Sequence, residues 1–153
     1  MASCEIFIDT SGLYALVNRR DSHHAAARTV VERLIGAGRR FVASGYTIAE
    51  SVNLANARGG APVAVRIIDL IEQSTAIRLE WIAATRFDAT KTFFRKHADH
   101  AYSFTDCTSF VLMREHFGGR NTPLMISAVE IKLRKLGMPH FTGSNEHERC
   151  SSQ

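Results

Sequence analysis

Three carboxylates stand where short apolar runs meet helical segments. Asp9 ends the run Ile6-Phe7-Ile8, Glu50 lies one turn beyond Thr47, and Asp106 precedes the apolar stretch Phe110-Val111-Leu112-Met113. Acids drawn together from distant parts of a chain repel one another unless something positive joins them. A divalent cation that prefers oxygen ligands, Mg²⁺ or Mn²⁺, is the natural joiner. Each acid also has a plainer reading. Asp9 fits a helix cap, Glu50 fits the last position of a Thr47-Ile-Ala-Glu50 capping box, and Asp106 suits the positive end of a helix. Asp9 is the hardest to explain that way alone, because a carboxylate after three apolar strand residues is partly buried and needs a partner.

Other chemistries find less support. No Gly-x-Ser-x-Gly elbow and no phosphate-binding Walker loop occurs. An aspartyl-nucleophile phosphatase wants a second Asp two residues after the first, and Ser11 stands there. The tandem His23-His24 diverges on a helix, and His97, His100 and His116 share no ligand spacing. Cys4, Cys107 and Cys150 are odd in number and far apart, which favours free thiols over a disulfide or zinc framework.

The elements that must position the acids follow from periodicity. Residues 5–9 read as a buried strand, with helical spacing at Leu13, Leu16 and Val17. A helix is expected from about Ser22 to Ile35, stopped by Gly36 and Gly38, then a strand over Phe41–Ser44. Thr47 opens a helix that reaches Gly59-Gly60, and Pro62 suits the first turn of the next. Ile77, Leu79 and Trp81 alternate with polar residues as a strand does. A helix from about Thr85 to His100 offers Phe87, Phe93 and Phe94 to the core, and Ser103-Phe-Thr-Asp106 opens a helix ending near Gly118-Gly119. Leu124–Val129 reads as a fourth strand, Glu130–Leu136 as a short helix, and residues from Thr142 as a loose polar tail. Alternating strands and helices predict an α/β fold with a parallel sheet covered on both faces. Ligands then bind beyond the carboxyl ends of the strands, where Asp9 stands.

At 153 residues the chain suits one domain with a core of its own. No apolar run has the length of a membrane span, and the first residues lack the pattern of a signal peptide, so no membrane association and a cytoplasmic location are expected. The net charge of +4 admits nucleic acid as a partner without requiring it, and Arg19, Arg20, Arg39, Arg40, Arg58 and Arg66 are scattered.

The segment Ile6-Phe-Ile-Asp9-Thr-Ser-Gly-Leu-Tyr-Ala15 resembles the opening of a PIN domain. Thr47-Ile-Ala-Glu50-Ser-Val-Asn-Leu54 resembles that family's second acidic motif, and Tyr102-Ser-Phe-Thr-Asp106-Cys-Thr-Ser-Phe-Val111 its third and most specific. The resemblance spans about residues 5–116 and implies a three-layer α/β/α sandwich over residues 1–141, followed by the tail 142–153. It implies a Mg²⁺- or Mn²⁺-dependent endoribonuclease, most often the VapC-type toxin of a type II toxin–antitoxin pair. RNA would be its substrate, a protein antitoxin its partner, and a homodimer its assembly. A non-catalytic PIN-like module that binds RNA or protein is the alternative. By this resemblance Asp9, Glu50 and Asp106 are metal ligands, with Ser11 and Thr105 as polar neighbours. Ala128–Gly137 aligns with the fourth motif and puts Glu130 in its acidic slot, though Lys132 and Leu133 replace the aromatic and histidine that often follow. Glu130 is thus a fourth ligand or only the first-turn acid of a short helix. No final strand is legible after Met138.

Overall fold

The computed structural model describes residues 5–117 and 125–126. The chain runs β1 (Glu5–Ile8), α1 (Thr10–Val17), α2 (His24–Gly36), β2 (Arg40–Ser44), α3 (Gly45–Gly59), α4 (Ala61–Gln73), β3 (Ile77–Glu80), α5 (Ala84–Lys96), α6 (Phe104–Phe117) and β4 (Met125–Ile126). The strands form one sheet in the order β3-β2-β1-β4, parallel throughout. β1 and β2 align Ile6 with Phe41 and Phe7 with Val42, and β4 joins through Phe7–Met125 and Ile8–Ile126.

Side-chain alternation along the two central strands divides the core between the two faces of the sheet. Ile6, Ile8, Phe41 and Ala43 turn to one face and pack on Leu13 and Ala15 of α1 and on Ala27, Val30 and Val31 of α2. Phe7 and Val42 turn to the other and meet Leu112 and Met113 of α6. Both faces are covered, so the central strands are continuously apolar. A satellite cluster, with Tyr14, Val17, Ala55, Val63, Ala64 and Ile67, locks α1 onto the α3–α4 hairpin. The α/β/α sandwich expected from the sequence is therefore the observed architecture.

The structure corrects several local expectations. Helix α2 begins at His24, after a turn in which the Asp21 carboxylate accepts the His23 amide at 2.8 Å. The tandem histidines do diverge. The His23 ring lies 3.3 Å from Asp21, while Nδ1 of His24 lies 2.9 Å from the Ala15 carbonyl and ties α2 to α1. Strand β3 stops at Glu80, and Trp81 stands 72% exposed beyond it. Helix α5 ends at Lys96, and among its residues only Thr90 is buried. Phe87 and Phe94 are thus not core residues, because α5 packs chiefly on α6 and not on a sheet face. The fourth strand is described for Met125 and Ile126, while Gly118-Gly119, Glu130, the Glu130–Leu136 helix and the tail from Thr142 lie outside the described residues.

Edge strand β3 carries charge instead of apolar bulk, one of the ways proteins blunt an edge. Arg78 forks onto Glu5 of β1 and also pairs with Glu80, which in turn holds Arg86 at 2.8 Å. Arg86 continues to Glu115 of α6 at 2.9 Å. Burial pushes the Glu80 carboxyl up, but hydrogen bonds from Arg78 and Arg86 outweigh it and leave the group below its ordinary value. The network stitches β1, β3, α5 and α6 together on the side of the sheet away from α1.

Helix α6 is held to the sheet by a small apolar cluster, in which Leu112 is fully buried. Leu112→Ala is expected to cost about 3 kcal/mol, within the range for emptying a close-packed site. Urea denaturation checks this, with an unchanged slope showing that the loss lies in stability rather than in the unfolded state. A shift in the midpoint worth less than about 1 kcal/mol would show that α6 does not depend on this contact.

Candidate active site

The site grows out of how the strands end. In a parallel sheet with adjacent strands β1 and β2, the helices that follow them start side by side on one edge. Each starts without a loop: Asp9 alone separates β1 from α1, and Ser44 passes directly into α3. Asp9 has extended backbone, φ −91° and ψ 177°, and caps α1 by accepting the Gly12 amide at 2.7 Å. The Ser11 hydroxyl donates to both of its oxygens, at 2.9 and 3.1 Å. Asp9 is therefore both a helix cap and a partly buried carboxylate with partners.

Glu50 does not complete a capping box. Ser44, where β2 ends, caps α3 by accepting the Thr47 amide at 3.0 Å, so Thr47 lies inside the helix and not at its start. This frees Glu50 to face α1, where the Thr10 hydroxyl donates to it at 2.8 Å. Asp106 approaches from the opposite layer. It forms a reciprocal box with Ser103, accepting the Ser103 amide at 2.8 Å while the Ser103 hydroxyl accepts the Asp106 amide at 3.0 Å. The first turn of α6 also favours an anion electrostatically.

Asp9, Glu50 and Asp106 line one pocket of about 260 Å³ together with Thr10, Ser11, Thr47, Leu54, Ser103, Thr105 and Ser109. That is room for a hydrated ion, since a water takes about 30 Å³. Ser11 and Thr105 are both among these lining residues. Glu130 lies outside the described residues. Sequence reasoning missed Thr10, Ser109, Thr47 and Ser103. Two of them had a readable signal: Ser109 follows Asp106 by three residues on one helix face, and Thr10 directly follows Asp9.

Among the described residues the pocket lining contains three acids and no Lys, Arg or His. Burial raises the Asp9 carboxyl most, the Gly12 amide and the Ser11 hydroxyl lower it, and the charges of Asp106 and Glu50 raise it again, to about 6. Such a set suits a hard divalent cation in type, being all oxygen and anionic. Among the described residues, however, no three acid, histidine or cysteine side chains already close around a single ion point. The arrangement is a converging acidic pocket and not a finished coordination shell. Cys107, next to Asp106, is a buried free thiol pushed up by burial and by that charge, which makes it a packing residue. Among the described residues no helix is long and apolar enough to cross a membrane.

Comparison with known proteins places the chain in a family. The chain is 34% identical over 111 residues to the 23S rRNA-specific endonuclease VapC20 of Mycobacterium tuberculosis, in strains CDC 1551 / Oshkosh and H37Rv, covering 72% of this chain and 81% of the relative. The crystal structure of M. tuberculosis VapC20, described as a Sarcin-Ricin loop cleaving toxin, matches with a TM-score of 0.62 and 32% identity, over 72% of this chain and 82% of that one. Residues 6–118 match the PIN domain family, and the chain belongs to it.

Proposed function

We propose that this protein is a metal-dependent endoribonuclease, the toxin of a toxin–antitoxin pair, acting on an unpaired or looped segment of structured RNA. The observation that carries the reading is an acidic pocket, assembled from both helical layers of a PIN domain, with no cation of its own among the described lining residues. A phosphodiester could not approach three carboxylates unaided. Bound Mg²⁺ or Mn²⁺ would offset their charge, activate a water for attack and stabilise the leaving oxygen.

The chain's own residues divide the remaining work. Asp9 is oriented by the Gly12 amide and the Ser11 hydroxyl, so it anchors the ion with little freedom to turn away. Glu50 is aimed by Thr10, and Asp106 is fixed by its box with Ser103. Glu130 is proposed as a fourth carboxylate, on the ground that β4 runs parallel beside β1 and so ends on the edge where Asp9 stands. The likeness to VapC20 makes a ribosomal RNA loop the first substrate to try, and a small protein antitoxin and a homodimer the assemblies to look for.

Asp9→Asn and Asp106→Asn should each abolish cleavage of such RNA with Mg²⁺ or Mn²⁺ while circular dichroism stays that of the parent. Full activity in either folded variant removes that acid from the mechanism. RNA bound but left intact by the parent, with either metal, would support the non-catalytic alternative. Calorimetry on Glu130→Gln should show Mn²⁺ bound about tenfold more weakly. Parent-like affinity would leave a site of three acids.

The raised Asp9 carboxyl also has a consequence for stability. Below the ordinary value of 3.8 the acid is protonated in both folded and unfolded states and contributes nothing. As pH rises towards about 6, folding increasingly opposes its ionisation, and above that the full penalty applies, at most about 3 kcal/mol. Asparagine keeps the cap and removes the charge. In metal-free buffer Asp9→Asn should therefore melt several degrees above the parent near pH 8, with the gap closing near pH 4. Adding Mn²⁺ should raise the parent's midpoint and not the variant's. An Asp9→Asn protein less stable than the parent near pH 8 would mean that the buried charge is already compensated.

A further inference from the structure

A band of aromatic side chains adjoins the acidic pocket. Tyr46 is followed by the pocket residue Thr47, and Phe104 lies between the pocket residues Ser103 and Thr105. Their rings meet at 6.3 Å, and each meets Phe87 of α5, at 6.4 and 5.6 Å. Phe94 extends the group from Phe104 at 5.8 Å. Trp81 leaves the end of β3 on the same sheet edge, its ring against Gly45 where α3 begins; a Cβ there would lie 3.4 Å from it. Along that edge the ends of β3, β2 and β1 present Trp81, Tyr46 and Asp9 in turn, over about 10 Å of sheet.

The rings of this band all keep some exposure, with Tyr46 and Phe104 half-buried. Trp81 is 72% exposed, and Phe87 and Phe94 are more than a third exposed. Cations are set among them: the Lys91 ammonium, paired with Asp88 at 2.7 Å, sits 5.2 Å from the centre of the Phe87 ring, and Arg95 and Lys96 follow Phe94. The core of a protein interface is depleted of charge, whereas aromatic faces interleaved with cations suit a single strand, whose bases stack while its phosphates are neutralised.

We propose that the aromatic band of Trp81, Tyr46, Phe87, Phe94 and Phe104 is a base-stacking subsite that holds unpaired nucleotides flanking the phosphate to be cut. This deepens the ribonuclease reading and rests on it. The subsite selects for splayed bases over paired ones, because a base within a duplex has no free face to offer. It also explains how substrate is held beside a pocket whose own lining would repel it.

Trp81 is the only tryptophan, so its emission reports on this surface directly. The probe is a short single-stranded RNA oligonucleotide, titrated in EDTA so that it is not cut, beside an abasic oligonucleotide of equal length. The base-bearing strand should quench Trp81, and the abasic strand should bind without doing so. Trp81→Ala and Phe94→Ala should weaken the base-bearing strand about tenfold by fluorescence anisotropy of a labelled oligonucleotide, leaving the abasic strand unchanged. Trp81→Phe should restore most of the affinity. Parent-like affinity in Trp81→Ala, or equal quenching by the abasic strand, overturns the subsite. Emission that changes on dilution of the protein alone would overturn it in favour of a second copy of the chain on this face. With Mn²⁺ present the two readings separate. Cleavage with an unchanged KM in Trp81→Ala defeats the subsite alone, while base-dependent quenching without any cleavage by the parent defeats the ribonuclease reading alone.

Discussion

Like charge held at close quarters in a partly dry pocket is the constraint around which this structure is arranged. Asp9 caps α1, and the cap requires an anion or a polar oxygen at the end of β1. The same position places the carboxylate beside Glu50 and Asp106, which disfavour its charge. Local hydrogen bonds to the Gly12 amide and the Ser11 hydroxyl recover part of that energy but not all. What remains is a standing attraction for a cation, built from one helix-capping acid, one acid in a helix first turn and one acid aimed by Thr10 instead of from a dedicated loop.

Among the described residues, the positive charges do not relieve this. Its net charge is +4, yet Arg78 and Arg86 are spent on Glu5, Glu80 and Glu115 along the β3 edge, and Arg28 pairs with Glu32 on α2. The pocket lining holds none of them. Basicity here acts at long range, drawing a polyanion toward the surface, while the last few ångströms require something other than arginine.

Much of this was readable before any coordinates. The central strands announced themselves through unbroken apolar runs, because a strand covered on both faces has no polar side to show. Asp9 and Asp106 stood out because each interrupts a pattern, one ending a strand and the other opening a helix. Glu50 lines the pocket, but its partner is not the one its local pattern suggests. Thr47-Ile-Ala-Glu50 satisfies the capping-box pattern, but Ser44 is also a good N-cap residue three positions earlier; only the length of β2 decides between them. Its actual partner, Thr10, lies 40 residues away, and no local rule reaches that far. The phenylalanines of α5 were misplaced for a related reason. Helical spacing identifies an apolar face, but it does not say whether a core lies against it.

That error is instructive about the site itself. A helix whose apolar face met the sheet would have pulled α5 inward and buried Phe87 and Phe94. Here the far side of the sheet is already filled by α6, whose Leu112 and Met113 occupy the space over Phe7 and Val42. Helix α5 is left to lean on α6, and its aromatic residues gather around Phe104 at the start of that helix. One placement therefore does two things. Packing α6 on the sheet brings Asp106 to the carboxyl edge, and it also displaces a set of aromatic rings to the rim of the same pocket. The acids and the rings are consequences of a single layer being full.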